Sequence, residues 1–338
     1  MRVKLPYLST IAATLLLSQA AIAGELFPKV VVTVAPLKPY VDEVLRGHGE
    51  SQSLLRPGQG AHDFALAPTQ AAMLNDADIV IVPDLDMSPM LKRLLAKKKN
   101  VTVIELSSLE GANPMPYPEA NPWLDALKTK EAKEAPKHHE DDHDHAHHGD
   151  DKKPINDPHL WLDPERMAAI SLHLAHAIAE ASPEARPTLD HNARQLSVHL
   201  RNEVIPALRT LLDRTPRTLD AVGKDQIPFI TYHAAYQYFL SRFGLTHHGE
   251  ITKRPQEMRG AKTSAAVLRG AENIRVRCLI GEEKNNLMQR IATLTEARII
   301  ILSPEQLVDR KDLDALDWIK SDYDRFIYKT AKTFANCL

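Results

Sequence analysis

Six of the sixteen histidines fall in one short run: His138, His139, His143, His145, His147 and His148, interleaved with Glu140, Asp141, Asp142 and Asp144. No apolar residue in the run is larger than Ala146, so it cannot contribute to a packed core and reads as a solvated loop. Neutral imidazole is the commonest side-chain ligand for zinc, copper and nickel. A terminal tag would look similar, but this run is internal. It reads as a set of weak auxiliary metal sites. A seventh histidine, His159, stands in another setting, followed by Leu160-Trp161-Leu162 and Asp163-Pro164, a stretch that can pack. The expectation is that the run gathers a metal ion and His159 helps hold it in a buried site.

Two further histidines occupy comparable positions. His62 ends the loop Arg56-Pro57-Gly58-Gln59-Gly60, after the short stretch Ser53-Leu54-Leu55, and His233 directly follows Phe229-Ile230-Thr231-Tyr232. In open α/β sheets, ligands bind beyond the carboxyl ends of strands. Two lobes facing each other would bring such loops together across a cleft. Three imidazoles meet most of the tetrahedral demand of zinc, with water or a carboxylate fourth, and a nitrogen-rich set favours zinc over manganese. Spacing alone does not separate these three from His173, His176, His191 and His199, which fall on helical sequence and read as surface residues. Nor does it separate them from His247 and His248, which flank a strand. Glu282 or Glu283, at the end of an apolar strand, could supply an oxygen.

The elements that must position these groups alternate. Val30–Val34, Ser53–Leu55, Asp78–Val82 and Val101–Leu106 read as strands, with helices over Pro39–Arg46 and Pro68–Asn75 between them. After residue 215 the pattern restarts, with strands at Pro228–Tyr232, Arg275–Ile280 and Ala297–Leu302. Helices there cover Ala234–Phe243, Lys284–Glu296 and about Ala315–Phe334. Alternation of this kind argues for βα units and parallel sheets. Between the halves, Pro164–Ala181 is helical. From Pro183 to about Arg214, apolar residues recur every three or four positions, through Leu189, Ala193, Leu196, Leu200, Val204, Leu208 and Leu211. One helix of that span would be about 45 Å long and kinked at Pro206. It reads as a strut between an N-terminal α/β lobe, 24–165, and a C-terminal one, 215–338, with 166–214 as the linking helices. The stretch from about 113 to 153 carries no strand signal and reads as functional or disordered.

Composition is ordinary for a soluble globular protein, with 43% hydrophobic and 25% charged residues and a net charge of −2. No basic stripe points to nucleic acid; Lys97-Lys98-Lys99 reads as a helix end. Residues 1–23 have the anatomy of a secretory signal: Arg2 and Lys4, the apolar stretch Leu8–Leu17, and Ala21-Ile22-Ala23 as cleavage site. After it, no stretch is long enough to insert in a bilayer. Export gives meaning to the two cysteines, because an oxidising compartment favours a Cys278–Cys337 disulfide over two buried thiols.

Several stretches together carry a family resemblance: Gly60-Ala61-His62-Asp63-Phe64 with Pro68 and Ala77-Asp78-Ile79-Val80; His159-Leu160-Trp161-Leu162-Asp163-Pro164; and Tyr232-His233-Ala234-Ala235-Tyr236-Gln237-Tyr238-Phe239 with Phe243-Gly244-Leu245. Over essentially the whole mature chain, the sequence resembles the zinc-binding receptors of bacterial zinc ABC importers, the ZnuA type. The histidine-acid run and the cysteine pair are also features of the zinc members. The resemblance implies that His62, His159 and His233 bind zinc between two lobes joined by a rigid helix with limited hinge motion. It further implies a periplasmic monomer that delivers zinc to a membrane permease driven by a cytoplasmic ATPase. Some zinc members carry a Glu just before the first histidine; here Ala61 stands there, so the fourth position is expected to hold water. A late carboxylate, as in manganese members, would fall after Leu302 and has no assigned residue.

Two other readings compete. One is an exported zinc enzyme, since three histidines plus water is also a catalytic arrangement; no HExxH helix or Gly-x-Ser-x-Gly elbow is present. The other is a periplasmic metal buffer or chaperone working through the histidine run. A loop must order its backbone, at roughly 1–2 kcal/mol per residue, before several imidazoles can surround one ion. A site between folded lobes has met that cost already. Zinc calorimetry on a protein lacking residues 138–148 should therefore lose a weak phase, retain one tight site and leave the metal-free melting temperature unchanged. Loss of the tight phase would place the primary site in the run.

Overall fold

Short parallel strands, with β-branched and fully buried ones at the centre of the first, build two sheets of identical plan. The computed structural model describes residues 27–62, 64–118, 121, 155–213, 226–253, 261–271, 274–307 and 316–338. In the first sheet, β1 (Val30–Val32), β2 (Gln52–Ser53), β3 (Ile79–Val82) and β4 (Thr102–Glu105) lie in the order β2-β1-β3-β4, all parallel. In the second, β5 (Gln226–His233), β6 (Glu250–Thr252), β7 (Arg275–Gly281) and β8 (Arg298–Ile301) lie in the order β6-β5-β7-β8, again all parallel. Parallel strands need covered faces. The first sheet is accompanied by α1 (Leu37–Leu45), α2 (Pro68–Asp76) and α3 (Pro89–Leu95). Then come α4 (Pro164–Ala179), α5 (Arg186–His199) and α6 (Ile205–Asp213). The second sheet has α7 (Gln237–Phe243), α8 (Ala261–Ala271), α9 (Asn286–Thr295) and α10 (Asp322–Ala335). This is the expected two-lobe α/β architecture. Helix α8 was not read from the sequence, and strand β6 and helix α3 were marked only by the residues beside them, His247-His248 and Lys97-Lys98-Lys99; each is short or weakly patterned. The signal segment 1–23, the histidine run 138–148 and residues 214–225 lie outside the described residues.

One hydrophobic core passes through both lobes. It joins Val32, Tyr40 and Ile81 of the first to Phe229, Phe239 and Phe334 of the second, through Trp161, Ile170, Leu174, Leu200 and Leu208. Two smaller clusters back the outer faces of the sheets. Polar bonds tie the same parts together: the Tyr40 hydroxyl donates to Met167 O at 2.7 Å, and the Asn192 amide donates to Val44 O and Arg46 O at the end of α1. Cys278 on β7 is bonded to Cys337 after α10, as expected, with both residues fully buried. The bridge spans 59 residues, a loop worth about 4 kcal/mol in the chain-entropy description.

The linking helix departs from expectation in an instructive way. Pro183–Ala185 form a 3₁₀ turn, and α5 and α6 are continuous through a π turn at Leu200–Val204. Ile205 N–H donates to Leu200 O, five residues back. Pro206 has no N–H to give and its ring crowds the preceding turn; the wider turn before it accommodates both demands. A residue expected at the surface is drawn in at this point. The His199 side chain is 12% exposed, with Nε2 3.0 Å from Asp324 Oδ2 and Nδ1 3.4 Å from Glu203 Oε1. Asp324 is buried and also accepts the Lys320 and Ser321 N–H groups, closing the start of α10.

Burial acts against a charged His199, but its bond to Asp324 and the charge there overcome this and raise its pKa above the usual 6.5, despite nearby Lys320. A raised folded-state pKa contributes stability below the unfolded value that is lost as pH rises through the folded one. The melting temperature of metal-free protein minus that of a His199→Gln variant should thus be larger at pH 6 than at pH 8.5. A difference independent of pH would show that His199 is neutral in the fold.

Candidate metal centre

Three segments at the carboxyl ends of strands, and one buried turn, carry the chemistry to one point. The turn after β2 presents His62, and Gly58 holds the left-handed φ of +83° that the turn requires. His233 is the last residue of β5, a central strand. His159 opens a 3₁₀ turn, Leu160–Leu162, whose three side chains are fully buried and fix its direction. The fourth group comes from the loop after β8, where Glu305 stands four residues past the strand end.

His62 Nε2 lies 3.2 Å from His159 Nε2, His233 Nε2 lies 3.4 Å from His159 Nε2, and Glu305 Oε1 lies 3.4 Å from His62 Nε2. One donor atom from each of the four residues falls within 4.8 Å of the rest, and all four residues are buried. A tetrahedron with zinc-length arms of about 2.0–2.1 Å has edges of about 3.3–3.4 Å, which the three close distances match. Imidazole nitrogens and a carboxylate oxygen at this range, away from water, repel unless a proton or a metal cation lies between them. The arrangement can hold one metal ion.

The orientation of the imidazoles is set from behind. Asp157 Oδ1 accepts from the backbone N–H of His159 and stands 2.6 Å from its Nδ1. The Gln237 amide donates to Asp157 Oδ2 at 2.8 Å. His233 Nδ1 is in ion-pair contact with Glu282 Oε1 at 2.7 Å. A carboxylate at Nδ1 keeps the proton there and leaves the Nε2 lone pair for the centre. Glu305 is itself oriented by Ala61, whose N–H donates to Oε2 at 2.5 Å. The same two loops are laced by Gln306, which accepts from Gly58 N–H and donates to Gln59 O.

Burial pushes His159 well below the usual 6.5, and a charged His233 adds to this. Burial also opposes charge on His233, but Glu282 outweighs it and raises the pKa. Glu282 is lowered in return, because His233 overcomes the effect of burial on the carboxyl. Glu305 and Asp157 are each pushed up to about 7 by burial.

His62, His159 and His233 are therefore brought together. Two placements differ from the expectation. A carboxylate oxygen of Glu305 stands beside the three imidazoles, 3.4 Å from His62 Nε2, where water was expected. Glu282 faces the outer nitrogen of His233 instead of the centre, because β7 ends beside that ring. Glu305 was missed because Ser303-Pro304-Glu305-Gln306 has no metal-binding spacing; the available signal was its place just beyond the carboxyl end of a strand. His247 is instead in ion-pair contact with Glu250, at 2.6 Å, and His173, His176 and His199 lie on helices away from the cluster.

The model of the ZnuA family, zinc-uptake complex component A, periplasmic, matches residues 30–337. The high-affinity zinc uptake system protein ZnuA of Brucella abortus is 25% identical over 353 aligned positions, covering 94% of each chain. The protein of the same description from Yersinia pestis is 26% identical over 322 positions, covering 91% of each. Among solved structures, a crystal structure of ZnuA aligns with a TM-score of 0.64 at 18% identity, covering 92% of this chain and 98% of the other; at that identity it speaks for the fold.

The opposite shifts of two neighbouring rings are directly measurable. In nuclear magnetic resonance titration of metal-free protein, His159 should stay neutral, with its proton on Nδ1, from pH 7.5 down to 5.5, while His233 is protonated above pH 6.5. Titration of His159 near 6.5 would contradict the buried geometry.

Proposed function

Because the chain belongs to the ZnuA family, the periplasmic component A proteins of zinc-uptake complexes, we propose that it is a zinc receptor. In this reading it is exported by its N-terminal 23 residues and works in the periplasm as a monomer. It captures zinc with His62, His159, His233 and Glu305, and delivers it to the permease of an ABC importer powered by a cytoplasmic ATPase. Among the described residues no helix is long and apolar enough to cross a membrane. The observation that carries the reading is the convergence of four buried donors on one point.

The same count favours a receptor over an enzyme. Catalytic zinc sites keep one position for a water to be activated, whereas closed four-ligand sites hold the ion. With Glu305 at the fourth corner, the protein offers a full tetrahedral set. Its net charge supports capture: one ligating carboxylate, with Glu282 and Asp157 behind the imidazoles, opposes the two positive charges of the ion. The histidine run adds weak auxiliary sites in this scheme, at His138, His139, His143, His145, His147 and His148, and the folded cluster is the tight one. That distinguishes a receptor from a buffer.

Alanine at His62, His159 or His233 should cost more than the roughly 10–100-fold typical of groups that only support a ligand, with the fold intact by circular dichroism. Asp157→Ala should fall inside that 10–100-fold range. Competition with a zinc chelator of known affinity measures both; a ligand variant within a few fold of wild type would remove that residue from the set. Capture should also release protons near pH 7. Zinc binds ionised Glu305 and neutral imidazole, while in its absence Glu305 is held near 7 and His233 is raised. Release measured in weak buffer should grow from pH 8 towards pH 6.5, and zinc affinity should fall over the same interval. Absence of release at pH 6.5 would mean that other groups bind the ion.

A further inference from the structure

Of the four donors, His62 alone lines an opening. A groove of about 580 Å³ lies against its ring, walled by Phe64, Met87, Met90, Leu94, Ile155 and Pro158. His62 is 8% exposed, against 0% for His159, 1% for His233 and 3% for Glu305. An ion leaving through this groove parts from the other three donors before His62. Leu94 and Ile155, two of the four large hydrophobic residues exposed among those described, stand on this groove. Apolar side chains gathered at the mouth of a site mark a surface that something covers, and methionines suit a face that must adapt to its partner.

The charge around the groove says what kind of partner. Arg93 and Lys97 line it, and Lys98 and Lys99 continue the basic run in a chain whose net charge is −2. Arg93 and Lys97 form no ion pair among the described residues. The one acid in the lining, Asp86, is taken by Lys92 at 2.5 Å. We propose that this groove is where the permease engages the receptor, through a permease segment with an apolar tip and acidic flanks. The tip would lie among Met87, Met90 and Leu94, and the acids would meet Arg93 and Lys97. A partner seated there stands directly over the donor by which the ion leaves. The proposal rests on the receptor reading above and adds the face and chemistry of the contact. Another acidic occupant is the chain's own stretch between Asn121 and Ile155, and the experiment distinguishes it.

The test uses the importer's permease–ATPase complex in proteoliposomes and reads ATP hydrolysis against the concentration of zinc-loaded full-length receptor. Arg93→Glu combined with Lys97→Glu, and separately Leu94→Asp, should each raise the half-maximal concentration at least tenfold. Zinc affinity and melting temperature of the isolated receptor should be unchanged. Arg93→Lys should behave as wild type, and so should Arg290→Glu, a charge reversal on α9. Raising salt should weaken wild type more than the doubly reversed variant. Wild-type-like stimulation by both groove variants overturns the proposal. So does a loss of zinc affinity in the isolated variants, which would assign the groove to the chain's own acid-rich stretch. A wild-type receptor that fails to stimulate at all removes the receptor reading itself.

Discussion

The burial of Trp161 is the interaction from which the rest of the molecule follows. Its indole is fully buried in the core common to both lobes. Its Nε1–H donates to Pro304 O at 2.8 Å, and its own carbonyl accepts from the Tyr323 hydroxyl at 2.8 Å. A side chain of this size contributes several kcal/mol by burial, and its N–H must find a partner once dry. That partner is the residue immediately before Glu305. Two residues upstream is His159. A single aromatic residue therefore fixes one donor of the cluster by its place in the chain and a second through its hydrogen bond. Asp163, two residues on, caps α4 and takes a two-point contact from Arg242 of the second lobe, at 2.7 and 3.0 Å. The five residues from His159 to Asp163 join the lobes and shape the centre in the same act.

Such a frame permits an otherwise unfavourable arrangement. Three imidazoles and a carboxyl are held with their lone pairs converging in a dry space, and two more carboxyl groups stand behind the rings. Isolated buried charges are costly, and the shifted pKa values of Glu305, Asp157 and His159 are the electrostatic form of that cost. Packing energy from the common core keeps the donors together; a divalent ion relieves their mutual repulsion. The centre is preorganised because the elements that carry it cannot relax apart without exposing the core.

Much of this was legible in the sequence for identifiable reasons. Alternating apolar strands and periodic helices gave the two parallel sheets, and His62, His159 and His233 stood out because each followed a strand or opened a packable turn. The limits are equally physical. Glu305 is set by the tertiary bond between Trp161 and Pro304, and no local pattern encodes it. Glu282 stands near the centre but against the outer nitrogen of His233, and which ring nitrogen it meets is set by the tertiary fold. His199 looked like a surface residue because only the fold brings α10, and with it Asp324, against the linking helix. The π turn beside it shows that Pro206 can be absorbed by one wider turn.

The single core shared by both sheets bears on how a loaded molecule can be told from an empty one. Two lobes that open widely would advertise occupancy by their outline. Lobes joined through Trp161, a long helix and a common interior have little outline to change. What loading alters is potential: two positive charges arrive among Glu305, Glu282 and Asp157, close beneath the surface at His62. Fields at that depth reach a contacting surface, since screening at physiological salt acts over about 8 Å. Occupancy in such a molecule is read as a change of local potential under an almost constant shape.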